Sequence, residues 1–349
     1  MNVNVIKMQS THPELDAIEK AGQILKAGGL VAFPTETVYG LGGNALDVNA
    51  SQKIYAAKGR PSDNPLIIHI ADMESLELIV KEVPEKALKL ASAYWPGPLT
   101  MIFPKSDLVP YETTGGLDSV AVRMPSHPIA RALIRAGGGY IAAPSANTSG
   151  RPSPTSAAHV IEDLGEQIDM VVDGGDVQIG LESTIVDFTE EVPIILRPGY
   201  ISEDMLREVL GQVRMDQGLI DDMDQKAPKA PGMKYKHYAP KAQLVVVEGE
   251  EYKVTAAIKE KVREHMERGE SAGVICTDET YEQYLPGCVK RIGKRSDEES
   301  IAHHLYRVLR EFDQEEVSFI YSEAFHTPRL GQAIMNRLVK AAGDQIIRV

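Results

Sequence analysis

Cysteine is almost missing from this 349-residue chain, which holds only Cys276 and Cys288. Their number and spacing argue against a disulfide framework and against a zinc site built from cysteine. Long apolar runs are also missing, because the longer ones, such as 244–247, have the length of a strand rather than the ~18 residues of a membrane span. Residues 1–10 lack the cationic start and apolar core of a signal peptide. We therefore expect a cytoplasmic protein with reduced thiols and no membrane partner.

The signature motifs of several enzyme classes are absent as well. The nine histidines form no H-x-x-x-H or H-x-H pair. The G-x-S-x-G string at 269–273 lies between a predicted helix and a predicted strand, so it does not form the strand-to-helix turn of a nucleophile elbow. Neither the dinucleotide fingerprint G-x-G-x-x-G nor the P-loop G-x-x-x-x-G-K-[ST] is found. Hydrolysis by a protein-held metal or by a serine therefore has no support, and a metal ion is expected to arrive as Mg²⁺ on a nucleotide.

Positive charge is scarce. The chain carries 37 Lys and Arg against 50 Asp and Glu, a formal net charge of -13, and residues 1–212 hold 16 of the basic and 27 of the acidic side chains. A protein that binds a long nucleic acid or an anionic membrane needs clustered cations, so this balance argues against both. A small phosphate ligand needs only a few cations in one pocket and stays compatible with it.

The apolar pattern indicates an α/β protein in three parts. Residues 1–212 mix strands and helices, and the lack of a helix between strands 99–103 and 120–123 predicts a partly antiparallel sheet. Residues 213–240 have weak periodicity and several prolines, which indicates a linker, and connections of that length are often functional. Residues 241–349 alternate strands and helices, as in a parallel α/β domain.

The individual elements follow from periodicity and from glycine and proline positions. We predict helices over 13–28, 47–58, 84–94, 128–136, 155–164, 202–211, 252–268, 296–312 and 331–342. We predict strands over 30–33, 66–70, 99–103, 120–123, 140–143, 170–173, 184–188, 243–248, 272–276, 288–291, 317–321 and 345–348.

Two polar segments beside predicted strands could bind a ligand. Residues 34–43 combine two threonines, a glutamate and a tyrosine with glycines that allow close approach of the backbone. The alternative is a polar strand-to-helix turn. Residues 58–65 hold Lys58 and Arg60 in a proline-stiffened segment that suits a phosphate chain. The alternative is two cations favoured by the dipole at a helix C-terminus.

A third segment, 142–155, has five hydroxyls, one amide and one arginine at a strand-to-helix junction, where backbone N–H groups face an anion. The alternative is a serine- and proline-rich loop with a helix cap at Thr155. His69 ends an apolar strand, where a histidine is more often structural than a ligand. Arg123 lies among apolar neighbours and needs a partner, either a substrate carboxylate or an internal acid.

Together, residues 33–41 (FPTETVYGL), Lys58-Gly59-Arg60 and residues 143–147 (APSAN) resemble the YrdC-like family. Residues 231–240 (PGMKYKHYAP) resemble the linker of its long form, the two-domain L-threonylcarbamoyladenylate synthases. Ala230 departs from that form, which often has serine there. The resemblance covers essentially the whole chain. It implies a twisted open mixed sheet with helices over 1–212, a linker and lid over 213–240, and a smaller Rossmann-like parallel α/β domain over 241–349.

The resemblance also implies a reaction, in which L-threonine, bicarbonate and ATP form threonylcarbamoyl-AMP and pyrophosphate, with Mg²⁺ held by the ATP. A partner enzyme would transfer the threonylcarbamoyl group to a tRNA adenosine beside the anticodon, and direct contact with tRNA would be weak. The carbamate of threonine attacks the α-phosphorus, so the protein needs no nucleophile and acts by positioning and charge neutralisation.

Residue roles are carried over from the family motifs. The resemblance implies that Lys58 and Arg60 are catalytic. It implies ATP contacts for Lys58, Arg60, Asn64, Ser119, Ser145, Ser153, Arg197 and Tyr235. It implies threonine contacts for Thr37, His69, Arg123, Ser183 and the backbone of Ala143. Arg123 would bind the carboxylate, and Tyr235 would belong to a lid that excludes water from the mixed anhydride.

Two other functions compete with this one. An RNA-binding module could use a basic cavity without catalysis, but the acidic balance of residues 1–212 argues against it. YrdC-like domains also occur in hydrogenase-maturation proteins, as part of ATP-dependent carbamoyl-transfer enzymes. That form would need an acylphosphatase-like or zinc-finger region, and the chain has no cysteine cluster.

Overall fold

A computed structural model describes residues 3–9, 13–216, 229–230 and 237–349. The chain divides into two compact units. The first unit comprises residues 1–149, 153–178 and 182–234, and the second comprises residues 150–152, 179–181 and 235–349. Most of the proposed linker, including Tyr235, lies outside the described residues, so the boundaries 1–212, 213–240 and 241–349 remain a prediction.

The described part of the first unit contains an eleven-stranded mixed sheet. Its strands are β1 Asn4–Lys7, β2 Val31–Phe33, β3 Gly40–Asn44, β4 Ile67–His69, β5 Leu99–Pro104, β6 Ser119–Arg123, β7 Ile141–Ala142, β8 Met170–Asp173, β9 Thr184–Asp187, β10 Ile194–Arg197 and β11 Arg214–Met215. They are arranged in the order β1-β8-β2-β3-β7-β4-β6-β5-β9-β10-β11. The antiparallel pairing of β5 with β6 confirms the expectation from the missing helix and places Thr100 opposite Arg123. The parallel pairing of β4 with β6 places His69 opposite Arg123.

Helices cover the two faces of this sheet unequally. They are α1 Leu15–Lys26, α2 Val48–Lys58, α3 Leu76–Ile79, α4 Glu85–Tyr94, α5 Pro128–Ala136, α6 Ala157–Leu164 and α7 Glu203–Leu210. One core joins a whole face of the sheet to α2, α3, α4, α6 and α7. A second core joins the other face to α1 and α5, through strand residues such as Phe33, Ile141 and Val172. His69 pairs with Ile141, so it points to the second face, and the strand registers place Arg123 and Thr100 on that same face.

The second unit contains a five-stranded parallel sheet in its described residues. Its strands are β12 Gln243–Glu248, β13 Ala272–Cys276, β14 Cys288–Arg291, β15 Phe319–Glu323 and β16 Ile346–Arg348, in the order β14-β13-β15-β12-β16. Its helices are α8 Glu251–Glu267, α9 Glu298–Phe312 and α10 Gly331–Ala341. This confirms the predicted α/β class with a smaller all-parallel domain. No described helix of the chain is long and apolar enough to cross a membrane.

Two of the local structures that the sequence left open as alternatives do not form. Residues 40–44 form the strand β3 rather than part of a strand-to-helix turn, and a Cβ at Gly42 would lie 2.9 Å from both Phe33 and Ile141, so only glycine fits there. Thr155 does not cap α6, which begins at Ala157, and its backbone N–H donates to His159 Nδ1 instead. The sequence reading also missed β1, β10, β11 and α3, which are short.

Candidate active site

The connection between β2 and β3 is a turn stabilised by its own hydroxyls. Thr35 Oγ1 donates to the backbone oxygen of Val38 at 2.7 Å, and the hydroxyls of Thr35 and Thr37 are 2.8 Å apart. Because the only hydroxyl proton of Thr35 is used on Val38, Thr37 is the donor in that pair, and its oxygen keeps the capacity to accept. Both threonines are buried. The turn thus holds Glu36 and Thr37 in place.

Tyr39, in the same segment, supports the structure of the turn. Its hydroxyl donates to Gly175 O at 2.7 Å and accepts from Gly174 N at 3.2 Å. Burial, followed by the negative charge of Asp173, raises the pKa of Tyr39 above its ordinary value. Because the Tyr39 hydroxyl already donates one hydrogen bond and accepts another, and does not ionise, we assign it a structural role.

Lys58 is the last residue of α2, a helix that begins where Asp47 Oδ1 accepts the Asn49 N–H and ends at Gly59, which has φ 59°. Its side chain is buried, and Nζ donates at 2.5 Å to the backbone oxygens of Ser145 and Asn147. A buried ammonium needs such partners because desolvation is costly. The second and third polar segments of the sequence are therefore adjacent.

Arg60 closes the turn that follows. Its Nη2 donates to Asn64 Oδ1 at 2.6 Å and to Pro65 O at 3.0 Å, and its Nε donates to Asn64 O at 3.2 Å. Both Arg60 and Asn64 are buried. The planar guanidinium holds the turn rigid and fixes a second positive charge two residues along the chain from Lys58.

Three further pairs of residues in contact include the predicted site residues Ser153, Ser183 and Arg197. Ser153 Oγ donates to Glu182 Oε1 at 2.5 Å, which joins the third polar segment to the residue before Ser183. Arg197 donates from Nε to the backbone oxygen of Ser183 at 3.1 Å and from Nη2 to its hydroxyl at 3.2 Å. The hydroxyl of Thr100 lies 2.7 Å from that of Ser183. A hydrogen-bond network therefore connects Thr100 in β5, through Ser183, to Arg197 in β10.

His69 is neutral in the folded protein. Burial, together with the positive charge of Arg123, lowers the pKa of His69 to about 3. Nδ1 lies 3.2 Å from Ile67 O, and since a carbonyl only accepts, Nδ1 carries the proton and Nε2 is the acceptor.

Arg123 has an internal acid as its partner. Its Nη2 donates to Glu36 Oε1 at 2.7 Å, and both side chains are only 5% exposed. The second carboxylate oxygen of Glu36 accepts the Ser126 N–H at 3.3 Å. Arg123 Nε is buried and has no hydrogen-bond partner among the described residues. Of the two partners that the sequence left open for Arg123, the structure contains the acid.

The other predicted residues have these positions. The backbone N–H of Ala143 donates to Ile67 O, so Ala143 continues β7 beside β4. Ser119 begins β6, about 13 Å from Arg123 at the rise of an extended strand. The β4–β6 register places it beside the end of the Arg60 turn. The sequence singled out Glu36 only as part of the polar segment 34–43, with no role of its own, and it gave no role to Thr100. Thr100 carried a usable signal, because it is the one polar side chain in the apolar run 99–103.

Comparison with known proteins identifies the family. Residues 23–199 match a family model described as Telomere recombination, and residues 201–343 match one described as Threonylcarbamoyl-AMP synthase, C-terminal domain. The threonylcarbamoyl-AMP synthase of Pyrococcus abyssi is 50% identical over 337 residues, which cover 95% of this chain and 96% of that protein. The chain belongs to the threonylcarbamoyl-AMP synthase family.

Other members of the threonylcarbamoyl-AMP synthase family agree with this assignment. The Bacillus subtilis protein of that name is 48% identical over 332 residues, which cover 95% of this chain and 94% of the relative. A crystal structure of P. abyssi Sua5 complexed with L-threonine matches with a TM-score of 0.93 and 47% identity, and covers 100% of both chains. The two-domain form is therefore shared over its full length.

Proposed function

We propose that this protein forms threonylcarbamoyl-AMP and pyrophosphate from L-threonine, bicarbonate and ATP. The observation that carries the proposal is the buried cation cluster, in which Lys58 and Arg60 are held by backbone and amide oxygens on a rigid turn. Cations held in place by structure stabilise the charge that develops on a phosphate chain without reorganising during the reaction.

ATP would bind along this turn. Lys58 and Arg60 would neutralise the phosphates, with Asn64, Ser119, Ser145, Ser153 and Arg197 as further contacts. Mg²⁺ would be held by the triphosphate oxygens and would neutralise charge there. Among the described residues, no three His, Cys, Asp or Glu side chains are grouped to hold a metal ion by themselves.

Threonine would bind on the sheet face that carries His69 and Arg123. Arg123 suits its carboxylate, while Thr37, Ser183 and the backbone of Ala143 offer polar contacts. The neutral imidazole of His69 offers an acceptor without adding positive charge. The amine captures carbon dioxide from bicarbonate as a carbamate, whose oxygen attacks the α-phosphorus as pyrophosphate leaves. The protein therefore needs to position three reactants and supply charge.

A lid over this face is part of the proposal. Ala230, in the linker, is buried in a small apolar cluster with Ile67, Ala121 and Ile185 on the face that carries Arg123. Lys229 Nζ lies 3.1 Å from Asp187 Oδ2. These contacts lie on the face proposed for threonine, and we propose that the residues that follow, including Tyr235, would form a lid that covers the nucleotide and excludes water.

The product is a reactive mixed anhydride, so an enzyme that transfers the threonylcarbamoyl group to tRNA must act next, in the cytoplasm. The shortage of positive charge argues that any tRNA contact with this chain is weak. Purified protein should release pyrophosphate from ATP only when L-threonine and bicarbonate are both present, and mass spectrometry should detect threonylcarbamoyl-AMP. Release without threonine, or no release, would refute the proposal.

A further inference from the structure

The buried ion pair between Glu36 and Arg123 lies on the sheet face proposed for threonine. Ion pairs this deeply buried are costly to desolvate and often stabilise a fold less than apolar side chains would. Glu36, in the turn between β2 and β3, and Arg123, in β6, are 87 residues apart in the chain. A role in binding would explain why charges are kept at this position.

Arg123 is only half satisfied by Glu36. A guanidinium binds a carboxylate most strongly through two parallel N–H donors, and Nε with Nη2 forms one such fork. Here Nη2 holds one oxygen of Glu36, whereas Nε is buried without a partner among the described residues. An unsatisfied buried donor is unfavourable. Because Nε is covered, an incoming carboxylate reaches this fork only when Glu36 moves off it.

Glu36 would then need a cation of its own. It would keep the Ser126 N–H, which donates to its other oxygen. His127 lies near enough to feel the charge of Glu36, but burial has the larger effect and lowers the pKa of His127, so this ring does not supply a charge at neutral pH. The carboxylate oxygen of Glu36 released by Arg123 would therefore suit an ammonium.

An amino acid brings both missing charges, an ammonium and a carboxylate separated by one carbon. We propose that the substrate zwitterion inserts into the Glu36–Arg123 pair, so that its carboxylate replaces Glu36 on Arg123 and its α-ammonium binds Glu36. Every buried charge is paired before and after the exchange, so the site stays electrically neutral. This inference rests on the proposed use of L-threonine and adds Glu36 as a substrate-binding residue.

Calorimetric binding of two ligands tests the exchange. L-Threonine carries both charges, whereas (R)-3-hydroxybutanoate is the same molecule without the ammonium. Glu36→Gln should weaken threonine binding by about 10- to 100-fold, the effect of losing a charge-assisted hydrogen bond. The same variant should bind 3-hydroxybutanoate more tightly than the wild type, because this ligand no longer has to displace a carboxylate from Arg123. The exposed Glu82→Gln variant is the matched control and should change neither affinity.

The two ligands should respond to Glu36→Gln in opposite directions, and a purely structural role of Glu36 would not produce that result. If Glu36→Gln weakened the binding of both ligands equally, or changed the binding of neither, the exchange would be refuted. Glu36→Asp keeps the charge but moves it back by one bond. It should weaken threonine binding less than Glu36→Gln does. It should also weaken threonine binding more than 3-hydroxybutanoate binding. That variant decides the question if Glu36→Gln does not fold. A wild-type protein that bound no threonine would refute the proposed function itself, whereas normal wild-type binding with unaffected variants refutes only the exchange.

Discussion

Lys58 donates from Nζ to the backbone oxygen of Ser145 at 2.5 Å, although the two residues are 87 positions apart. This bond joins the end of helix α2 to the loop after strand β7. It determines where the positive charge lies relative to the hydroxyls of the loop. The helix end and the loop together therefore fix the position of the Lys58 ammonium.

Replacing Lys58 by alanine should lower pyrophosphate release by about 100-fold or more, because a buried charge held against the phosphates is lost. The variant should remain folded, with a loss of about 1–3 kcal/mol from the carbonyl oxygens left unpaired. Lys53→Ala is the matched control: Lys53 lies on the same helix and donates to Gly28 O at 2.6 Å. It should cost less stability, because Lys53 is exposed, and it should leave activity unchanged. Full activity of Lys58→Ala would refute the assignment.

Replacing Arg60 by lysine keeps the charge but removes the fork. A single ammonium cannot reproduce the contacts of Nε and Nη2 with Asn64 and Pro65, so the turn should loosen. We expect the KM for ATP to rise about tenfold, with a smaller effect on the KM for threonine. Steady-state kinetics in which each substrate is varied separately would measure this. An Arg60→Lys enzyme with wild-type KM for ATP would show that charge alone is sufficient.

Local patterns predicted much of the fold. The predicted helices 128–136 and 47–58 have boundaries close to those of α5 and α2, and the regular alternation after Lys241 predicted the parallel sheet. Strand β3 was missed because its glycines carry no strand signal: Phe33 and Ile141 fill the space above Gly42, a long-range effect.

In the candidate site, likewise, some residues could be predicted from local sequence and others could not. Residue type and spacing singled out Lys58, Arg60 and Arg123. Their partners could not be predicted, since Ser145, Asn64 and Glu36 reach them through sheet order and turn geometry. Local sequence does not determine which strands pair, so a contact such as Arg123 with Glu36 becomes visible only in the folded chain.

The Thr100→Val variant should impair threonine use selectively. Valine has nearly the shape of threonine but lacks the hydroxyl that lies 2.7 Å from Ser183 Oγ. Ser183 would lose one of the contacts that orient it, so the KM for threonine should rise several-fold while the KM for ATP changes little. Thr113→Val removes an equivalent buried hydroxyl pair, with Ser51 at 2.8 Å, from a position assigned no role in binding. Equal effects of both variants on threonine use would show a general loss of stability instead.

The neutral state of His69 should make the first unit less stable in acid. In the unfolded chain the imidazole takes up a proton near its ordinary pKa of about 6.5, whereas in the folded protein burial and Arg123 delay this to about pH 3. Between these values the unfolded state binds more protons, so the free energy of unfolding should fall as the pH is lowered through this window, by up to roughly 1 kcal/mol per pH unit. His127, whose pKa burial also lowers, lies in the same unit and acts in the same direction. His69→Gln should therefore reduce the slope of the free energy of unfolding against pH by the contribution of one proton, without abolishing the slope.

Urea unfolding between pH 4 and pH 7, followed by the fluorescence of Trp95, the only tryptophan, measures the slope in this unit. An unchanged slope in His69→Gln would mean that His69 is already protonated in the folded protein.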